Sequence, residues 1–358
     1  RVTYLIHSPE MTLKASCSQS QQTMPQMTQS KLAKRSFDSF EMFKDPQYVT
    51  GIQGLATLQP LNNTQIAYWA IKEENWKLCK WTAEETDFEK GSVIWNHKHR
   101  FSSSAIDTMH AFVKPRIQIL HSSNILVIDD SILNAKGKPA NIIVGDLSMP
   151  EVYSAFMEDV EQGKANPKHT RKYSTRTKYL VNILTKDNKP AHEVPLVLTL
   201  KGLASKQLSE KLKDFYKSMD KCMSVALEKD ASSKFDKQVT SLYVFEPTID
   251  IETMGSYNNS VTVVKSFTAP DYSSVETAQE SVIALTVADD MREKTWSQIE
   301  DADLGDYINK HSQSEASKLG GDYAQKEGLI LAPADVEVIK TTSVIGERDE
   351  DTGEVANF

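Results

Sequence analysis

The residues with the most chemistry to offer form a run of cations. Across residues 164–186 stand Lys164, Lys168, Arg171, Lys172, Arg176, Lys178 and Lys186, with no Asp or Glu among them. His169, Tyr173 and Tyr179 are interleaved, and Lys189 and Lys201 extend the positive charge downstream. Clustered cations release the counterions condensed on a polyphosphate, which supplies most of the sequence-independent affinity for nucleic acid. Aromatic faces stack on bases whatever the sequence. The expectation is a non-catalytic surface for single-stranded DNA or RNA. Lys164, Lys168, Arg171, Lys172, Arg176, Lys178 and Lys201 would contact phosphates, and Tyr173 and Tyr179 would stack bases. Against it stands a solvated loop whose charge only keeps the chain soluble.

Other clusters are less pointed. Trp69, Trp76, Trp81 and Trp95 fall in one window. Large aromatics mostly fill cores, so core is expected, with Trp81 and Trp95 the more exposed because Lys80 and His97-Lys98-His99-Arg100 flank them. His97, His99, His110 and His121 crowd together, and His97 and His99 would share one side of a strand. No carboxylate follows at metal-ligand spacing, and neither HExxH nor HxHxDH occurs. Asp129 and Asp130 are adjacent, so on a strand they would face opposite sides and not share one ion. No phosphate loop, GxGxxG or GxSxG is present. The chain is therefore expected to hold no metal or cofactor and to be no enzyme.

Charge is uneven. The formal net charge is −8, and residues 301–358 alone carry all of it, so residues 1–300 balance to zero. An acidic pI is thus compatible with a basic surface on the folded body. Glu347, Asp349, Glu350, Asp351 and Glu354 lead to Phe358, with Arg348 among them and Val355-Ala356-Asn357 before the last residue. A tethered polyanion competes for a cationic groove at a concentration set by its linker. Phe358 is expected to dock into partner proteins.

These features together resemble bacterial and phage single-stranded DNA-binding proteins, which join an OB-fold core to an acidic tail ending in Phe. The resemblance rests on the strand–helix–strand order, the basic residues 164–186 and the tail 347–358. It implies an OB-like barrel and a protein-recruiting tail. Val113-Lys114-Pro115-Arg116 and residues 178–202 are also similar to uncharacterised conserved proteins of cyanobacteria and their phages. An alternative function is structural, as an assembly component of a phage particle or a complex.

The elements that must hold these residues can be read from periodicity. Short β-branched or aromatic runs at 65–71, 93–95, 111–120, 125–130 and 141–144 predict strands, with a hairpin at Asn124. Residues 149–163 predict a short helix. Alternation at Tyr179, Val181 and Ile183, then Val194, Leu196, Leu198 and Leu200, predicts a hairpin turning at Asp187-Asn188. Leu208, Leu212, Phe215, Met219, Cys222 and Met223 form one stripe, predicting a long amphipathic helix at about 205–229 capped by Ser205. Strands at 239–245 and 261–267 and looser helix at 275–312 follow.

The fold class is thus α+β and β-rich: antiparallel sheets or an OB-like barrel, with the long helix between strand pairs. Residues 1–36 read as a disordered segment, 37–270 as the core domain, 271–320 as a helical extension and 321–358 as an acidic flexible tail. Met11 is the expected native start. Cys17, Cys79 and Cys222 are too few and scattered for a disulfide framework, which suggests a reducing, cytoplasmic setting. No apolar run approaches the roughly 18 residues of a membrane span.

Overall fold

The computed structural model describes residues 56–61, 66–101, 105–134, 137, 139–166, 168–230, 234–254 and 259–301. The expected segments 1–36 and 321–358, with Met11, Cys17 and Phe358, lie outside the described residues. The first part of the described chain contains β1 (Thr57–Leu61), β2 (Tyr68–Lys72), α1 (Glu73–Cys79), β3 (Val93–Arg100) and β4 (Ile106–Phe112). Next come β5 (Ile117–Ser122), β6 (Leu126–Asp129), β7 (Ile142–Asp146), α2 (Pro150–Ala165) and β8 (Tyr173–Ile183). β9 (Leu196–Lys201) runs into α3 (Gly202–Ala226), followed by α4 (Lys237–Thr240) and β10 (Val244–Phe245). The hairpin β11 (Pro247–Met254) and β12 (Asn259–Phe267) precedes α5 (Val275–Ala284) and α6 (Arg292–Asp301).

The described residues form a mixed α+β fold built on a ten-stranded sheet, in the order β10-β5-β8-β9-β1-β2-β4-β3, with β6 and β7 added beside β8. Its neighbours are antiparallel except β1 and β9. The sheet is open, with β10 and β3 at the two ends of that order, so the expected OB-like barrel is not formed. The reason is topological. β1 docks in parallel on β9, and β2, β4 and β3 then prolong the sheet instead of curling it closed.

β8 is the hub. Its second half pairs β5 and its first half pairs β6 along one edge, while β9 covers the other. The hairpin expected at Asn124 is therefore absent, since β5 and β6 both lie along β8 rather than on each other. The β8–β9 hairpin forms as the alternation predicts, and Asn188 takes a left-handed φ of 57° in its turn. The strand signal at 239–245 divides into the short helix α4 and the two-residue β10, which pairs β5.

α3 lies on one face of the sheet because its stripe of Leu208, Leu212, Phe215, Met219 and Cys222 is buried. It begins at Gly202, earlier than predicted. Ser205 is then an interior residue that donates to Thr177 Oγ1 at 2.6 Å, not the N-cap. Phe215 meets Phe245 and Phe267 edge-on, at ring separations of 5.2 and 5.6 Å. Such a ring contributes roughly 1.5–3 kcal/mol by burial. On the opposite face, Ile299 of α6 packs on Leu120, Leu180 and Val197. With helices on both sides, β8 buries Leu180 and Asn182 as well as Tyr179, Val181 and Ile183.

Candidate anion-binding site

The basic run acquires its order from one carboxylate. Asp159 of α2 is 5% exposed and accepts from His169 Nε2, Arg171 Nε, the Lys172 N–H and the Tyr173 N–H, all within 2.8–3.1 Å. Burial alone would raise its carboxyl, but the Lys172 N–H, His169, Arg171 and the Tyr173 N–H outweigh that and hold it well below the ordinary carboxylate range. The clamp fixes the entry of β8 onto α2.

Three more cations of the predicted set pair with carboxylates. Lys164 contacts Glu161 at 3.0 Å, Lys172 contacts Asp129 at 3.3 Å and Lys201 contacts Asp130 at 3.2 Å. The adjacent acids thus face different lysines, Asp129 at the end of β6 and Asp130 in the turn after it. Lys168 is exposed. Arg176 and Lys178 share a face of β8. Arg176 donates to Asn141 Oδ1 at 2.6 Å, while Lys178 is 6% exposed, and burial together with the Arg176 charge pushes its amine down to about 8. Cross-strand register sets Arg176 opposite Lys201, so these three predicted cations are brought together with Asp130 nearby.

The aromatic part of the expectation is corrected. Tyr179 is 2% exposed and its hydroxyl meets Ser209 Oγ at 2.9 Å, so its ring belongs to the core and offers no surface for a base. Tyr173 packs on the cluster of Val127, Phe156 and Val160 under α2, with Lys172 Nζ 5.1 Å from its ring centre. Tyr173 is half-buried and Tyr179 fully buried, because α2 packs on the first and α3 on the second.

The tryptophans divide between core and margin. Trp69 is fully buried, while Trp76, Trp81 and Trp95 are partly buried at the edge of the same core. His110 is sandwiched between Trp76 and Trp95, at ring separations of 4.0 and 3.6 Å, and burial pushes its imidazole down to about 4. His97 and His99 do share a side, where both rings meet the Tyr68 hydroxyl, at 3.2 and 2.9 Å. Among the described residues no group of three or more His, Cys, Asp or Glu is placed to hold a metal ion. No helix among them is long and apolar enough to cross a membrane.

A second cationic region was not legible in the sequence. A cleft of about 460 Å³ opens between β5, the first half of α3 and the β8 residues Thr177 and Tyr179, with α4 at its rim. Its cations are Lys213 and Lys237, with His121 beside them, and no Asp or Glu lines it among the described residues. Ile299 O accepts from His121 Nε2 at 2.9 Å, which leaves Nδ1 free to accept from Lys237 Nζ at 3.2 Å. Those two bonds make the ring neutral and hold Lys237 at the rim. From Lys213 at the cleft, Lys217 and Lys221 follow at every fourth residue on the exposed face of α3. The fourfold lysine spacing was the one available signal, and it also fits an ordinary solvated helix face.

No curated protein and no solved structure matches the chain. A family model matches residues 53–304, most of the chain and all of its sheet, and by that match the protein belongs to the family described as a domain of unknown function, DUF5895.

Proposed function

We propose that the protein is a non-catalytic, cytoplasmic binder of single-stranded nucleic acid, with the α3 lysine ridge as its electrostatic track. One observation carries the reading. Lys213, Lys217 and Lys221 stand exposed along α3, and among the described residues no carboxylate forms an ion pair with any of them. Asp214 shares the exposed surface without pairing to them. The three ammonium groups spread charge over about 12 Å of helix, given a rise of about 1.5 Å per residue. Unpaired cations gain the full counterion-release free energy from a phosphate backbone, whereas paired ones must first give up a carboxylate. Arg176, Lys178 and Lys201 are the predicted residues that add to the positive field on the other face of β8 and β9.

The test is fluorescence anisotropy with a labelled single strand and its duplex over a range of salt. The expected result is salt-sensitive binding of the single strand that weakens about tenfold or more in K217E/K221E, with the salt slope falling by about two. Equal affinities of the parent chain and that variant would overturn the ridge. If residues 340–358 compete for it, replacing their carboxylates by amides tightens binding at low salt.

A further inference from the structure

We infer that the cleft between β5, β8 and α3 is a pocket for a small phosphate ester with a planar or apolar body, of the class of nucleoside monophosphates. It shares Lys213 with the ridge but stands without it. Several independent features point to this ligand.

Volume comes first. About 460 Å³ lies inside the range of roughly 300–1,000 Å³ typical of small-molecule sites. Charge comes second. Lys213 and Lys237 converge on a cavity that no carboxylate lines among the described residues, although acids outnumber bases 49 to 41 in the whole chain. A cavity with that imbalance stabilises an oxyanion and repels nothing on it. The lining itself is the third feature. Ile125 and Leu147 give an apolar floor, and Ser122, Ser209 and Thr240 bring hydroxyls that can donate or accept around it. A free inorganic ion would leave that floor uncovered, whereas an ester with a flat body fills both parts.

Preorganisation is the fourth. Lys237 is not left to wander, because His121 holds its ammonium and is itself held by the backbone carbonyl of Ile299 in α6. A cation fixed before the ligand arrives loses less rotamer freedom on binding. His121 is here a positioning residue. It touches the cation rather than serving as a second charge.

The experiment is calorimetric titration of the full chain with adenosine 5′-monophosphate, inorganic phosphate and adenosine as separate probes. The monophosphate is expected to bind saturably and more tightly than either fragment. K213Q and K237Q should each weaken it about tenfold, and the ligand should protect both amines from acetylation while Lys221 stays reactive. Both lysines are exposed, so loss of binding in these variants does not reflect a lost fold. No saturable binding of the monophosphate, or binding that both substitutions leave unchanged, overturns the inference. Phosphate binding as tightly as the monophosphate overturns the ester body. The ridge reading is separable, because K217E/K221E changes only oligonucleotide binding.

Discussion

Along residues 164–201 the cations turn towards carboxylates on neighbouring elements, with Arg171 on Asp159, Lys172 on Asp129 and Lys201 on Asp130. On α3, Lys206 pairs with Glu210 of the same helix, but Lys213, Lys217 and Lys221, and Lys237 at the cleft, form no ion pair with a carboxylate among the described residues, although the sequence there alternates bases with acids. The two regions therefore invert what their composition suggests. The acid-free run is the better neutralised, because its counter-charges sit on α2 and at the end of β6. The mixed helix leaves its lysine ridge the less neutralised, because Glu210 pairs with Lys206 and Asp220 turns towards the Tyr243 hydroxyl. Surface potential follows charge after folding, and charge density along the chain is a poor guide to it.

The contrast can be broken most forcefully at Asp159. Replacing it by Ala leaves the Lys172 and Tyr173 amides unpaired and removes the clamp, so unfolding free energy should fall by about 3 kcal/mol. Urea unfolding measures this, and a loss under about 1 kcal/mol would mean that the clamp is ornamental.

Acid provides a graded version. A carboxyl held below its ordinary value stabilises the fold above the unfolded-state pKa of about 4, and that contribution disappears as pH falls through the folded value. Stability should therefore decline below about pH 4 in the parent chain. The decline should be shallower in D159N, and parallel curves for the two proteins would contradict the depressed carboxyl.

A smaller effect separates the regions by function. K172Q removes a cation already paired with Asp129, so oligonucleotide affinity should change by less than about twofold, against about tenfold for K217E/K221E. Equal losses would restore the basic run as the binding surface. Smallest of all, K189A breaks the exposed pair with Asp290 and should cost at most about 1 kcal/mol in a thermal melt.

Some of this was legible beforehand. The β8–β9 hairpin and α3 appeared where alternation and the three-four stripe placed them, because a half-buried strand and an amphipathic helix write their periods into the sequence. The missing Asn124 hairpin was not legible. Two consecutive apolar runs look alike whether they pair with each other or both add to a third strand. The barrel failed for a similar reason: nothing local announces that β1 will dock in parallel on β9. Tyr179 shows the same limit at one residue, since it alternates like a core position while directly following Lys178 in the basic run.

By itself the sequence determined the β8–β9 hairpin, the long helix α3, the β-rich class and the placing of net acidity in residues 301–358, all of which follow from local pattern and counting. Only the tertiary structure decided that the sheet stays open and which cations meet a carboxylate. It also gathered His121, Lys213 and Lys237 around one cleft. Those outcomes depend on contacts between residues far apart in the chain, such as His121 with Ile299, and a pairing over that separation leaves no trace in the neighbourhood of either partner.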